Sequence, residues 1–62
     1  MMMVIFDDLR RETRTSIGNV IELSKSYGVN KGRAVKVWRC ELADGTCREF
    51  QMAHYEICRV EV

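Results

Sequence analysis

The pair Asp44-Gly45 limits what this chain can become more than any other feature. It lies within residues 33–52, RAVKVWRCELADGTCREFQM, between two runs rich in β-branched and aromatic side chains. Glycine takes positive φ without a Cβ clash, so Asp-Gly between two strand-like runs predicts a β-hairpin. Two registers compete. A two-residue type I′ turn pairs Leu42 with Cys47 and Arg39 with Phe50. A three-residue loop, a type I turn followed by Gly45 in the left-handed region as a bulge, pairs Leu42 with Thr46. It also sets Cys40 opposite Arg48, Arg39 opposite Glu49 and Trp38 opposite Phe50.

Strand side chains alternate between faces, so a slip of one residue moves a strand's apolar set to the other side. Only the bulged register gathers Trp38, Cys40, Leu42, Phe50 and Met52 on one face. It leaves Val35, Val37, Arg39, Glu41, Cys47, Glu49 and Gln51 on the other. It also makes a Trp–Phe and an Arg–Glu cross-strand pair, each contributing roughly 0.2–1 kcal/mol. The bulged hairpin is therefore expected. Val35 and Val37 then form an apolar patch on the second face that needs a cover.

Sixty-two residues predict one small domain, residues 1–62. A composition of 47% hydrophobic and 31% charged residues is that of a globular chain rather than a disordered one. So short a chain buries only about 60% of its unfolded surface. Ordering costs about 1.5 kcal/mol per residue, which burial barely exceeds at this size, so a disulfide, a metal or a second subunit is a usual supplement. The three cysteines, Cys40, Cys47 and Cys58, cannot all pair within the chain, and the bulged register parts Cys40 from Cys47. Residues 1–6, MMMVIF, are too few for a signal-peptide core and are followed by Asp7-Asp8. No run approaches the ~20 apolar residues of a membrane-spanning helix. A reducing cytoplasm and self-association are the expectations that follow.

Residues 1–6 predict a short strand or extended packing. Residues 7–27 support two readings. As a helix, Asp7 or Asp8 caps the start, and Leu9, Thr13, Ile17, Val20 or Ile21, Ser24 and Tyr27 recur at three- and four-residue steps. Gly28 then suits the end of that helix, with Val29 placed for the hydrophobic contact of its cap. Thr15, Ser16, Gly18 and Asn19 are poor helix formers in its middle. The rival ends the helix near Thr13 and makes residues 17–23 a strand. The long helix, kinked near Gly18, is the expectation adopted here. Residues 27–33, with two glycines and an asparagine, predict a loop. Residues 53–56 predict a turn, and residues 57–62 a closing strand with Cys58, Val60 and Val62 on one face.

The fold class expected is α+β: one N-terminal helix packed on a three- to four-stranded antiparallel sheet built around the 33–52 hairpin. From Val35 to Val62 the order is strand, DGT turn, REF-containing strand, short turn and closing strand. That pattern resembles the second half of SH3-like and Sm-like small barrels. The resemblance implies an all-β alternative and carries over no functional residue.

Cys40, Cys47, His54 and Cys58 offer a legitimate zinc donor set, but the spacing C-x6-C-x6-H-x3-C lacks the close C-x2-C pair of structural sites. Buried free cysteines more often serve as small apolar residues. A His54–Cys58 nucleophile pair lacks an orienting third group and an oxyanion hole. No catalytic residue, cofactor, metal or small-molecule substrate is therefore expected. Lys31, Arg33 and Lys36 cluster before the hairpin, near Tyr27 and Trp38, as phosphate-binding and stacking groups for single-stranded nucleic acid would. Arg10, Arg11 and Arg14 make a second cluster, offset by Asp7, Asp8 and Glu12. Against both stands a net charge of only +1, as expected for solvated faces with local ion pairs. Gly28-x3-Gly32 lacks the Lys-Ser/Thr of a phosphate-binding loop. The apolar surplus points instead to a non-enzymatic regulatory or protein-interaction module. It would be a homodimer joined through Val4, Phe6, Val35 and Val37 and would contact a further protein. A small nucleic-acid-binding regulator using Lys31, Arg33 and Lys36 is the alternative.

Overall fold

The computed structural model describes all 62 residues and contains no helix. Five strands run β1 (Met2–Asp8), β2 (Thr13–Asn30), β3 (Arg33–Leu42), β4 (Cys47–Gln51) and β5 (Tyr55–Glu61). They form one antiparallel sheet in the order β4-β3-β2-β1-β5. The α+β expectation is thus corrected to all-β, the class of the small-barrel alternative.

The central hairpin has the bulged register. Trp38 pairs with Phe50, Arg39 with Glu49 and Cys40 with Arg48. The Leu42 N–H donates to the Thr46 carbonyl at 2.8 Å, and the Gly45 N–H to the Leu42 carbonyl at 3.0 Å. Gly45 has φ +89°, a region open to glycine at little cost. Asp44 Oδ1 accepts from the Thr46 N–H and hydroxyl at 2.9 and 2.6 Å, which holds the turn. The Arg39–Glu49 register pair makes no ion pair, because Arg39 reaches Glu41 instead, at 3.7 Å.

Residues 7–27 hold the main correction. Only the first step of the helical reading survives. Asp8 Oδ1 accepts the backbone N–H groups of Arg10 and Arg11, as a helix cap would, but the turn stops at Glu12, which has φ +54°. Beyond it β2 runs for 18 residues. Two irregularities explain why it reads as a helix. Met2 pairs with Val20 and Val4 with Ile17, so one extra β2 residue is accommodated at Gly18-Asn19, where Asn19 has φ +56°. Val20 pairs with Leu42 and Glu22 with Glu41, which leaves Ile21 as a second extra residue. Each bulge stretches the period from two to three. The inward side chains of β2 are therefore Ile17, Val20 and Leu23, a spacing that imitates one helical face.

Those bulges also bend the strand. Val20 pairs with Met2 of β1 on one side and Leu42 of β3 on the other, so β2 changes partners there and the sheet curls. Phe6 on β1 and Phe50 on β4 are three strands apart in sheet order. On a flat sheet that is about 14 Å, since neighbouring strands lie about 4.8 Å apart. Their rings nevertheless stack with centroids 4.5 Å apart. Tyr55 meets both edge-on, and the Trp38 indole N–H donates to the Tyr55 carbonyl at 3.3 Å. The sheet is rolled around a core of Val4, Phe6, Ile17, Val20, Cys40 and Phe50. A third extra residue, Cys58, lies in β5, between partners Phe6↔Ile57 and Ile5↔Arg59. It puts Ile57 against the core, and the expected single face of Cys58, Val60 and Val62 is broken by this bulge.

Residues 27–33, expected as a loop, instead close a second hairpin. Asn30 pairs with Arg33 around Lys31 and Gly32, with φ of +51° and +76°. Positive φ at both central residues is the mark of a type I′ turn, whose twist matches that of the strands.

Candidate nucleic-acid interface

The chain divides into a body and an arm. β1 pairs with β2 only up to Val20, and β4 pairs with β3 only from Val37. Past these limits β2 and β3 continue alone as a two-stranded ribbon, with Gly28↔Val35, Val29↔Ala34 and Asn30↔Arg33. No third strand covers this arm. Its exposed residues include Tyr27 at 70% and Val29 at 80% of their full accessible area.

Charge divides along the same line. Residues 24–38 carry Lys25, Lys31, Arg33 and Lys36 and not one carboxylate, while all nine Asp and Glu lie elsewhere. The three ion pairs, Arg14–Asp7, Arg39–Glu41 and Arg59–Glu61, use none of these four cations. The net charge of +1 therefore conceals a basic arm on an acidic body.

Alternation sorts the arm's side chains. Lys25 is opposite Trp38 and Tyr27 is opposite Lys36, so these four share the face that continues from the core. The Lys25 ammonium lies 5.8 Å from the centroid of the half-buried Trp38 ring. Lys25, Ser26, Tyr27, Lys36 and Met52 line a depression of about 210 Å³. The Met52 N–H donates to the Lys36 carbonyl at 3.0 Å and ties the end of β4 to the root of the arm. Of the three basic residues singled out in the sequence, Lys36 belongs to this face, Lys31 sits in the tip turn, and Arg33 falls on the opposite face, beside Asn30. Lys25 was missed. Its signal was the step Lys25-x-Tyr27-x-Val29, which reads as alternation only once residues 7–27 are taken as strand.

The remaining candidates are dispersed. Val4 and Phe6 have no exposed surface, and Val37 is 3% exposed, so three of the four residues considered for a dimer interface are buried within one chain. Val35 alone is half-buried. Cys40 is buried, Cys47 exposed and Cys58 half-buried, and all three are free. No three His, Cys, Asp or Glu side chains converge as a metal site would require. Burial pushes the Cys40 thiol up, against the opposing charge of Arg48, so it stays protonated at neutral pH. His54 lies in the β4–β5 turn, where its carbonyl accepts the Leu9 N–H at 2.9 Å.

A wider depression beside the β1–β2 turn is lined by Asp7, Asp8, Leu9, Glu12, Thr13 and Arg14. Two of its carboxylates are already engaged. Asp7 pairs with Arg14 at 3.0 Å and Asp8 binds its own turn. Burial raises the Asp8 carboxyl, but the N–H groups of Arg11 and Arg10, with the charges of those arginines, outweigh it and hold the group below the usual carboxylate range. No helix is long and apolar enough to cross a membrane. No protein-family model matches the chain, and no curated protein or solved structure is significantly similar to it.

Proposed function

We propose that this protein is a small non-enzymatic nucleic-acid-binding module whose β2–β3 arm is the binding element. One observation carries the reading: Lys31, Arg33 and Lys36, with Lys25 at the root, have no ion-pair partner and stand on a ribbon that has no carboxylate of its own and exposes a tyrosine. Single-stranded nucleic acids are held by such a combination, because cations follow the phosphodiester backbone while an aromatic ring accepts a base face. The acidic body repels the same polymer and directs it to the arm.

Salt dependence tests this directly. Neutralised phosphates release counterions, with a slope of log K against log salt of about −0.7 per contact on single strands. Engagement of Lys25, Lys31, Arg33 and Lys36 gives a slope near −3 on this rule. Replacing Lys31 and Arg33 by glutamine should bring it to roughly −1.5. Binding that ignores salt, or no binding of any oligonucleotide at low salt, would refute the reading.

Self-association is the second reading, and a specific feature favours it. The interface would not be the buried Val4, Phe6 and Val37. It would be the edge of β5, which ends the sheet and exposes Val60, with Val62 beyond it. An edge strand offers its unpaired backbone N–H and C=O groups to a further strand. Sedimentation equilibrium at tens of micromolar separates the cases: a dimer supports this reading, and a stable folded monomer removes it.

A further inference from the structure

We infer that the face formed by Lys25, Tyr27, Lys36 and Met52 is a stacking subsite for one unpaired base, so that the arm prefers single strands to duplex. This rests on the nucleic-acid reading above and adds what it does not supply, a means of choosing between strands. Cations alone bind any polyphosphate and cannot make that choice.

Tyr27 is a large ring on a β-ribbon, 70% exposed, with no aromatic partner, whereas Phe6, Phe50 and Tyr55 are all packed on one another. Its neighbours are what a nucleotide needs. Lys36 stands directly across from it, and Lys25 lies two residues earlier on the same face. Between these residues and Met52 is the depression of about 210 Å³, so a base laid on the ring has a soft thioether and the two lysines that line the same depression within its surroundings. The opposite face of the arm offers Ser26, Gly28, Asn30, Val35 and Arg33 and no aromatic ring. A base still paired in duplex turns its edge outward and cannot present its face to Tyr27. An acidic peptide supplies the charge without the ring.

The test uses the full chain at low salt with three probes: a labelled 20-nucleotide oligothymidine, a DNA duplex with the same number of phosphates, and poly-L-glutamate. The single strand should bind most tightly. It should quench Trp38, the chain's one tryptophan, which lies on the same face beside Lys25. Tyr27→Ala should weaken single-strand binding by about 5- to 140-fold, as expected for one stacked base, and leave duplex binding within about twofold. Tyr27→Phe should retain the wild-type preference. Circular dichroism on each variant checks that the fold persists. A Tyr27→Ala protein that binds oligothymidine as well as the parent, or a parent that binds duplex equally well, overturns the subsite while leaving the basic-arm reading intact. Poly-L-glutamate that competes at equal charge overturns it in favour of an acidic protein partner. If no nucleic acid binds at all, the basic-arm reading falls and the subsite with it.

Discussion

The body and the arm are built from the same two long strands, yet they obey different rules. In the body, β2 and β3 have further neighbours and curl until Phe6 and Phe50 stack. Nearly every inward side chain there is apolar and packed. In the arm the same strands lack neighbours, and the face that was core becomes Tyr27 and Lys36, with Lys25 at the root. Chemistry changes where packing stops. A side chain at Val20 answers to stability, and one at Tyr27 is free to answer to a ligand.

The largest effect should come from cutting into the body. Phe6 is fully buried where β1 meets β4, and Phe→Ala in a core costs about 3–5 kcal/mol. A 62-residue chain has only roughly 3–9 kcal/mol to lose, so Phe6→Ala should remove at least about a third of its stability. Tyr27→Ala should change stability by no more than about 0.5 kcal/mol, as is usual for exposed positions. Urea melts of the two variants, followed by Trp38 emission, measure the contrast. Equal losses would mean that the arm is part of the cooperative unit and that the division drawn here is wrong.

Glycine turns sharpen the same contrast. Gly45 and Gly32 both sit at positive φ, +89° and +76°, where an added Cβ costs about 1–2 kcal/mol. Neither Cβ would touch a neighbour, so the penalty is one of backbone alone. Gly45 fixes the register that brings Phe50 to Phe6. Gly45→Ala should therefore lower the melting temperature by about 4–8 °C for each kcal/mol. Gly32→Ala strains only the arm's tip. It should appear chiefly as faster amide exchange over residues 27–36, with a smaller shift in the global melt.

How much of this was legible in the sequence follows the same divide. The register of the central hairpin could be read, because five apolar residues fall on one face in only one of two pairings. The all-β alternative was visible in the pattern from Val35 onward. The path of β2 was not, and the cause is local. Bulges at Gly18-Asn19 and Ile21 turn an alternating strand into Ile17, Val20 and Leu23, a three-residue step that also describes a helix. Asp8 added to the illusion by capping one turn. The poor helix formers Thr15, Ser16, Gly18 and Asn19 were the correct signal, and they were outweighed. Lys25 went unseen with it, since it shares a face with Tyr27 only on a strand. Lys36 and Trp38 were found because β3 was assigned correctly, and Tyr27 because it stands close to them in the sequence.

Acid should loosen the body through its turns. The Asp8 carboxyl is pushed up by burial but is held below its ordinary value by backbone N–H groups. The Thr46 hydroxyl and N–H lower that of Asp44. A carboxylate depressed in the folded state stabilises fully above its unfolded pKa, about 3.9, and loses that contribution as pH falls through the folded value. Stability should therefore decline below about pH 4. Asp8→Ala and Asp44→Ala should each be less stable than the parent at pH 7 and flatten the acid decline. Denaturant midpoints from pH 7 to pH 2 show it. An unchanged pH profile in the double variant would assign the acid response to other carboxylates.

The smallest effect lies where arm joins body. A Cβ on Gly28 would sit 3.2 Å from Glu49 Oε1 and 3.3 Å from Val37 Cγ1. The Glu49 carboxylate ends a flexible, exposed side chain and can swing aside. Val37 is 3% exposed and has little room to yield. Opposing this crowding, Gly→Ala restricts the unfolded chain and favours folding by about 0.4–1 kcal/mol. The two nearly cancel, so Gly28→Ala should be slightly destabilising, by less than about 1 kcal/mol. With Val37→Ala in place the clash is gone and the entropic gain remains. There the same substitution should become stabilising, by about 0.4–1 kcal/mol in a double-mutant cycle of urea melts. Such a change of sign would mean that Val37 is covered by its own chain at this joint. If the cycle shows no coupling, Val37 is not in contact at position 28, and the second face of β3 is again open to an outside partner.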